Sequence, residues 1–195
     1  MAPAPASPTV AKLADWAVRS GDAGGLAFVI VDKPAAEVFI FDPSGQPLGS
    51  APALLGSAPG DDTAPGVGDL QPTDIPLKDR TTPAGRFVAH IGAARGFPAV
   101  LWVDFATATS LHAVVTNHPK ERRLQRLDSP DPSDRRATHG CINVPLAFWS
   151  LVRATFADRN GVVYILPDTR PVEAVFPGLA ADSPPPIAPT PGPGA

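Results

Sequence analysis

Proline constrains this chain more than any other residue. There are 26 in 195 positions, and each fixes φ and removes a backbone donor, so it ends helices and stays out of central strands. Their distribution is uneven. The opening "APAPASP" and the closing "DSPPPIAPTPGPGA" are low-complexity runs that cannot bury enough apolar surface to order themselves. Both read as linkers or tails. A third stretch, "SAPGDDTAPGVGDLQPTDIPLKDRTT" at 57–82, is rich in Pro, Gly and Asp and reads as a long surface loop. Loops of that length inside a compact domain are uncommon and are often functional.

Between these stretches the chain alternates short apolar runs with turn signals. Ser7-Pro8 followed by "TVAKLADWAVRSGDAGG" reads as a capped helix. Val10, Leu13, Ala14, Ala17 and Val18 share a face, and Gly24-Gly25 provides the stop. "LAFVIVD", "AEVFIFD" and "PLGSAPALLG" then read as a β-meander turning at "DKPA" and "DPSG". Further strands are expected at "GRFVAHIG", "AVLWVDF", "TSLHAVV" and "VVYILP". A short helix is expected on "KERRLQRL" and a longer one from Pro145, with Phe148, Leu151, Val152 and Phe156 on its apolar face and Asn160-Gly161 as its end. The expected fold is mostly β, with mixed sheets, an N-terminal helix and one helix following the only cysteine. The expected organisation is a tail and helix at 1–25, one folded domain at 26–170 and a disordered Pro-rich tail at 171–195.

Composition excludes some functions. Lys plus Arg number 16 against 19 Asp plus Glu, a net charge near -3, so composition gives no electrostatic reason to expect nucleic acid. No apolar run is long enough to cross a bilayer. The opening lacks a basic n-region followed by an apolar h-region, so no export signal is visible.

Cys141 stands alone in the chain, inside "RRATHGCINVP". It is packing, a metal ligand or a nucleophile. Free cysteines are most often small buried apolar residues, yet here the flanks, Thr138, His139, Gly140 and Asn143, are polar and turn-like. A zinc site built on His139 and Cys141 with His112 or His118 lacks the paired spacing such sites use. A catalytic thiol needs a base. His112, in "TSLHAVV", alternates with Leu111 and Ala113, so a neighbouring strand could show it on the same face as Cys141. Backbone N–H groups around Gly140 and Cys141 could then face a developing oxyanion.

"THGCIN" at 138–143 resembles the [ST]-H-G-C-apolar-[NR] signature of the L,D-transpeptidase (YkuD-like) catalytic domain. "FVIVDKPAAEVFIFDPSGQPL" is similar to that family's opening strand pair, "TTPAGRF" to its T-P-x-G-x-F segment, and "SLHAVV" to the strand bearing its upstream histidine. The resemblance covers about residues 26 to 167. It implies a bacterial cell-wall enzyme, a cysteine acyltransferase with no cofactor. Cys141 would attack a peptidoglycan stem peptide at its third residue, expel the terminal D-alanine and pass the acyl group to a second stem as a 3→3 cross-link. His112 would be the base, while His139, Gly140 and the Cys141 amide would shape the nucleophile loop and oxyanion site. Thr138 and Asn143 would support that loop or meet substrate. Carbapenems would acylate Cys141.

The interval between His112 and Thr138 is longer than is common in that family. The insertion makes His118 a rival base, although it precedes Pro119 in a polar segment without a strand beneath it. Lys120, Arg122, Arg123, Arg126, Arg135 and Arg136 would form a lid for stem carboxylates, with Arg136 assigned to substrate, or else a solvated face paired with Glu121 and nearby aspartates. His90 is expected to face solvent, and Trp102 and Trp149 to pack in the core. The substrate implies a periplasmic or cell-envelope location, with the chain beginning after its signal. Alternatives are an L,D-carboxypeptidase, a non-catalytic peptidoglycan-binding module and a metal-binding protein.

Overall fold

The computed structural model describes residues 5–181. Helix α1, Pro8–Arg19, starts on its expected cap. The Ser7 hydroxyl accepts the Val10 N–H at 3.3 Å and donates to the Asp32 carboxylate at 2.8 Å. One side chain thus satisfies an orphan helix donor and ties the helix to the sheet. The helix stops at Arg19, ahead of Gly24-Gly25, because Gly21 takes φ 75° and the Ala23 N–H bonds back to the Ala17 carbonyl at 3.1 Å. That is a left-handed C-terminal stop, which glycine adopts without a Cβ clash.

Strands β1 (Phe28–Asp32), β2 (Glu37–Phe41) and β3 (Pro47–Pro52) form the expected antiparallel meander. The two-residue β4, Leu55–Gly56, follows. After the 57–84 segment, β5 (Gly85–Ala94), β6 (Phe97–Asp104) and β7 (Thr109–Ala113) make a second antiparallel set. Then come α2 (Arg123–Leu127), β8 (Arg136–Thr138), β9 (Ile142–Val144), α3 (Leu146–Phe156) and β10 (Gly161–Ile165). Helix α3 ends before Asn160, and Gly161 opens β10 where a Cβ would sit inside the Phe156 ring.

β10 joins the two sets. It lies parallel to β1 on one side and antiparallel to β5 on the other, giving one eight-stranded mixed sheet in the order β3-β2-β1-β10-β5-β6-β7-β9. The sheet curls until its edges meet. Leu54, just after β3, and Asn143, in β9, exchange backbone hydrogen bonds at 2.8 and 2.9 Å, and β4 pairs with β8. Near-closure leaves little unpaired edge.

Alternation along the strands separates two cores. Val29, Val31, Val38, Ile40, Leu101, Leu111, Ile142 and Val163 face inward with Phe148, Trp149, Val152 and Phe156 of α3. Phe28, Ile30, Phe39, Phe41, Val162 and Tyr164 face the other way, under α1. Burying each such large side chain stabilises the fold by about 1.5–3 kcal/mol.

The second core corrects the expected boundaries. Residues 172–175 and 178–181 form short helices α4 and α5, and Phe176 and Leu179 are buried against α1 and Tyr164. The tail expected from 171 is therefore folded structure through 181. The rest of that expected tail, 182–195, and positions 1–4 lie outside the described residues. No division falls at 25, since α1 shares a core with β1 and β2.

The 57–84 segment is anchored from within. Lys33, in the β1–β2 turn, is wholly buried. Its ammonium donates to Gly60 O at 2.6 Å, Asp61 Oδ1 at 2.9 Å and Thr82 O at 2.8 Å. Asp61 also accepts the N–H groups of Thr169 and Arg170 at 3.0 and 2.8 Å and the Thr169 hydroxyl at 2.6 Å. Burial pushes the Asp61 carboxyl up, but the hydrogen bonds from Thr169, Lys33 and the backbone outweigh it and hold the group well below the usual carboxylate range. A buried charge persists only when paired and fully bonded in this way.

Candidate active site

β7 and β9 lie side by side and parallel, with Leu111 level with Ile142 and His112 level with Asn143. Leu111 and Ile142 point into the inner core. Strand alternation therefore turns Ser110, His112, Cys141 and Asn143 to the opposite face.

The loop carrying Cys141 is tightly braced. Gly140 has φ 132°, and a Cβ there would lie 2.8 Å from the Thr81 carbonyl oxygen, so the position requires glycine on two counts. Thr138 accepts the Gly140 N–H at 3.2 Å and donates to the Cys141 carbonyl at 2.7 Å. Thr82 donates to Gly140 O and accepts the Gly56 N–H, both at 2.9 Å. The "TTPAGRF" stretch thus carries a direct brace of the Cys141 loop, which links back through Thr82 O to Lys33. The Gly140 N–H is committed to Thr138, so of the two amides expected to face an oxyanion this one is already engaged.

His112 is 6 % exposed. Its Nδ1 lies 2.8 Å from the Ala113 carbonyl and its Nε2 3.1 Å from Asn143 Nδ2. A carbonyl only accepts, so Nδ1 carries the proton and Nε2 holds the lone pair. Asn143 completes the assignment: its Oδ1 accepts from Arg123 Nη1 at 2.8 Å, so its amide nitrogen faces the ring. Burial pushes His112 below the usual histidine range. The bond to Ala113 opposes this, and the Arg123 charge adds to the lowering. Phe97 covers the ring at 4.4 Å between centroids.

Cys141 is half-buried. Its Sγ lies 3.6 Å from both Ser110 Oγ and the Ala108 carbonyl oxygen. Among the described residues no hydrogen bond joins it to His112, its diagonal neighbour across the strand pair. His139 is also half-buried, with its pKa lowered by burial and by Arg80 and Arg123, against an opposing contribution from Glu121.

The structure leaves His118 exposed on the loop after β7. Arg136 stands elsewhere than expected: it forms a two-armed ion pair with Asp168 and donates to Lys33 O at 2.9 Å. Arg135 is equally committed, to Glu37 at 2.8 Å and to the Ala36 and Ser129 carbonyls. Arg126 bonds the Glu121 and Asp134 carbonyls. Arg126 braces the insertion internally, and Arg135 and Arg136 tie its end to the β1–β2 turn and to Asp168. Asn143 is buried and fully engaged, a support and not a surface group.

Trp149 packs in the inner core, but Trp102 does not. It pairs with Ser110 and shares the face of Cys141. Ser110 was open to discovery from alternation around His112. Arg123 was not, because nothing in "KERRLQRL" distinguishes it from its neighbours. Among the described residues no group of three or more His, Cys, Asp or Glu side chains could hold a metal ion, and no helix is long and apolar enough to cross a membrane.

No protein-family model matches this sequence, and no curated protein matches it. Several solved structures are similar. The L,D-transpeptidase (Yku) from Stackebrandtia nassauensis is 15 % identical, with a TM-score of 0.45 over 82 % of this chain and 66 % of that one. The LD transpeptidase LdtMt1, solved with imipenem, is 16 % identical, with a TM-score of 0.42 over 72 % of this chain and 58 % of that one. The Ldtfm–avibactam carbamoyl enzyme is 17 % identical, with a TM-score of 0.42 over 72 % of this chain and 48 % of that one. This chain spans about half the length of the last of these. A fourth similar structure, 18 % identical with a TM-score of 0.42 over 85 % of this chain and 64 % of that one, is a fused Zn-dependent amidase/peptidase/peptidoglycan-binding domain-containing protein from Clostridium acetobutylicum.

Proposed function

We propose that this protein is a cysteine acyltransferase of the bacterial cell envelope, an L,D-transpeptidase that joins peptidoglycan stem peptides. The observation that carries this reading is the parallel pairing of β7 and β9, which sets Cys141 and a neutral His112 on one face. The "THGCIN" signature at 138–143 supplies the substrate class by resemblance.

In this mechanism the Cys141 side chain turns about χ1 from Ala108 O toward His112 Nε2, which requires Asn143 Nδ2 to yield. Nε2 takes the thiol proton, and the thiolate adds to the carbonyl of the third stem residue. The oxyanion is met by backbone N–H near Cys141. Its collapse breaks the peptide bond. The imidazolium returns the proton to the departing D-alanine amine, leaving a thioester on Cys141. The side-chain amine of a second stem's diamino acid then attacks that thioester. His112 takes the amine proton and hands it to the leaving thiolate, so thiol and imidazole are regenerated and one 3→3 amide is formed. Water in place of the amine gives L,D-carboxypeptidase chemistry at the same site.

The test is intact-protein mass after exposure to a carbapenem, followed by analysis of products from purified stem peptides. A single adduct, absent in Cys141→Ala and formed much more slowly in His112→Ala, is expected. An alkylatable thiol that forms no adduct and turns over no stem peptide would leave a binding module instead.

A further inference from the structure

The face bearing Cys141 continues across β7, β6 and β5. Ser110 Oγ lies 3.6 Å from Cys141 Sγ, Trp102 pairs with Ser110, and His90 pairs with Trp102. The Trp102 ring lies over Gly92, where a Cβ would come within 3.0 Å of it. Its indole N–H is taken by the Ala93 carbonyl at 3.2 Å. Phe105, in the β6–β7 turn, stands edge-on to Trp102 with centroids 5.0 Å apart at 61°. It is 74 % exposed. The same turn ends at Ala108, whose carbonyl touches the thiol at 3.6 Å. Two aromatic rings, half-buried Trp102 pinned to the sheet and exposed Phe105 beside it, therefore share this face, with the Trp102 backbone two strand spacings, about 10 Å, from Cys141.

We propose that Trp102 and Phe105 form a subsite for a pyranose ring of the glycan strand that carries the donor stem. The proposal rests on the stem-peptide reading of the site. With the third residue's carbonyl at Cys141, three extended residues at about 3.4 Å each bring the sugar-bearing end about 10 Å away, which is the distance to the corner. The chemistry agrees. With its N–H occupied, the indole offers only its electron-rich face, which suits the C–H face of a pyranose and not a hydrogen-bond acceptor. Two rings alone fall far short of the roughly 800 Å² per partner of a stable protein interface.

The test uses the full chain as Cys141→Ala, titrated with the N-acetylated disaccharide free of peptide, reading the Trp102 indole signal by 1H-15N NMR. A saturable shift is expected, with affinity lowered at least fivefold by Phe105→Ser, a change at an exposed position that leaves folding intact. In the Cys141-containing chain, Trp102→Ala is expected to raise KM for a disaccharide-tetrapeptide about tenfold more than for the sugar-free tetrapeptide. Acylation by stem peptide with no disaccharide shift would overturn the subsite and leave the transpeptidase reading standing. A disaccharide shift without any acylation would uphold the subsite and sink that reading. An equal KM rise on both substrates would overturn it in favour of a structural or peptide-contacting role. Self-association lost in Phe105→Ser, with no sugar shift, would overturn it in favour of an interface between copies.

Discussion

Asn143 donates its amide to His112 Nε2 at 3.1 Å while its carbonyl accepts from Arg123 at 2.8 Å. The insertion between β7 and β8 thereby reaches into the site through one buried asparagine. Arg123 fixes which way that amide points, and the amide fixes the tautomer of the ring.

Removing Arg123 tests this relay. In Arg123→Ala a nearby positive charge disappears, so the lowered pKa of His112 rises back toward its ordinary value. More of the ring is then protonated at a given acidic pH, and the acid limb of the thiol-acylation rate moves to higher pH. The loosened ring lowers the acylation rate about tenfold. NMR titration of His112 in both proteins checks the shift, and an unmoved titration would show that Arg123 does not act through the ring.

The same depression links His112 to stability. Its folded pKa lies below the unfolded value of about 6.5, so the unfolded chain binds more protons between the two values. Its contribution is complete above about pH 6.5 and is lost as pH falls through that window. Denaturant midpoints measured downward from pH 7 should fall less steeply in His112→Gln than in the wild type.

The Thr82 hydroxyl stands between Gly56 N–H and Gly140 O. Thr82→Val leaves a buried donor and a buried acceptor without partners. A loss of about 2 kcal/mol is expected, with thiol acylation slowed through a looser nucleophile loop. Gly140→Ala should be worse, since its Cβ meets the Thr81 carbonyl at 2.8 Å in a left-handed backbone. Urea unfolding together with acylation kinetics reads both effects.

Lys33→Met strands Asp61 and is expected to cost about 3–5 kcal/mol, the usual penalty for removing one partner of a buried pair. Because the Asp61 pKa is depressed in the fold, its contribution is present above the ordinary carboxylate pKa and is lost as pH falls below it. Acid unfolding of the wild type and the variant should converge at low pH.

Deleting everything after residue 170 removes Phe176 and Leu179 from the outer core. A loss of several kcal/mol is expected, read as a lowered Tm.

Local chemistry made much of this protein legible. Ser7-Pro8 announces α1, and short continuous runs of Val, Ile and Phe between turn signals announce β1 and β2. The Thr138–Asn143 stretch marks the thiol loop by its resemblance to a family signature, and its polar, glycine-containing flanks agree with a turn there. The alternation in "SLHAVV" places His112 opposite Leu111, as observed. The roles of charged and aromatic side chains were harder to read. Arg123 and Arg136 stand in equally basic company, yet one braces Asn143 and the other pairs with Asp168, a residue 32 positions away. Trp102 and Trp149 look alike in sequence, but Trp149 packs in the inner core while Trp102 stands on the other face of the sheet.

The sequence by itself determined most of the elements and the polar, turn-like loop around Cys141, since propensity, capping and alternation act over a few residues. Only the tertiary structure decided that β9 lies parallel beside β7, that Leu54 closes the sheet onto Asn143, and that Lys33 is buried with Asp61. Those pairings depend on which distant segments meet when the sheet curls, and local preferences carry no record of that.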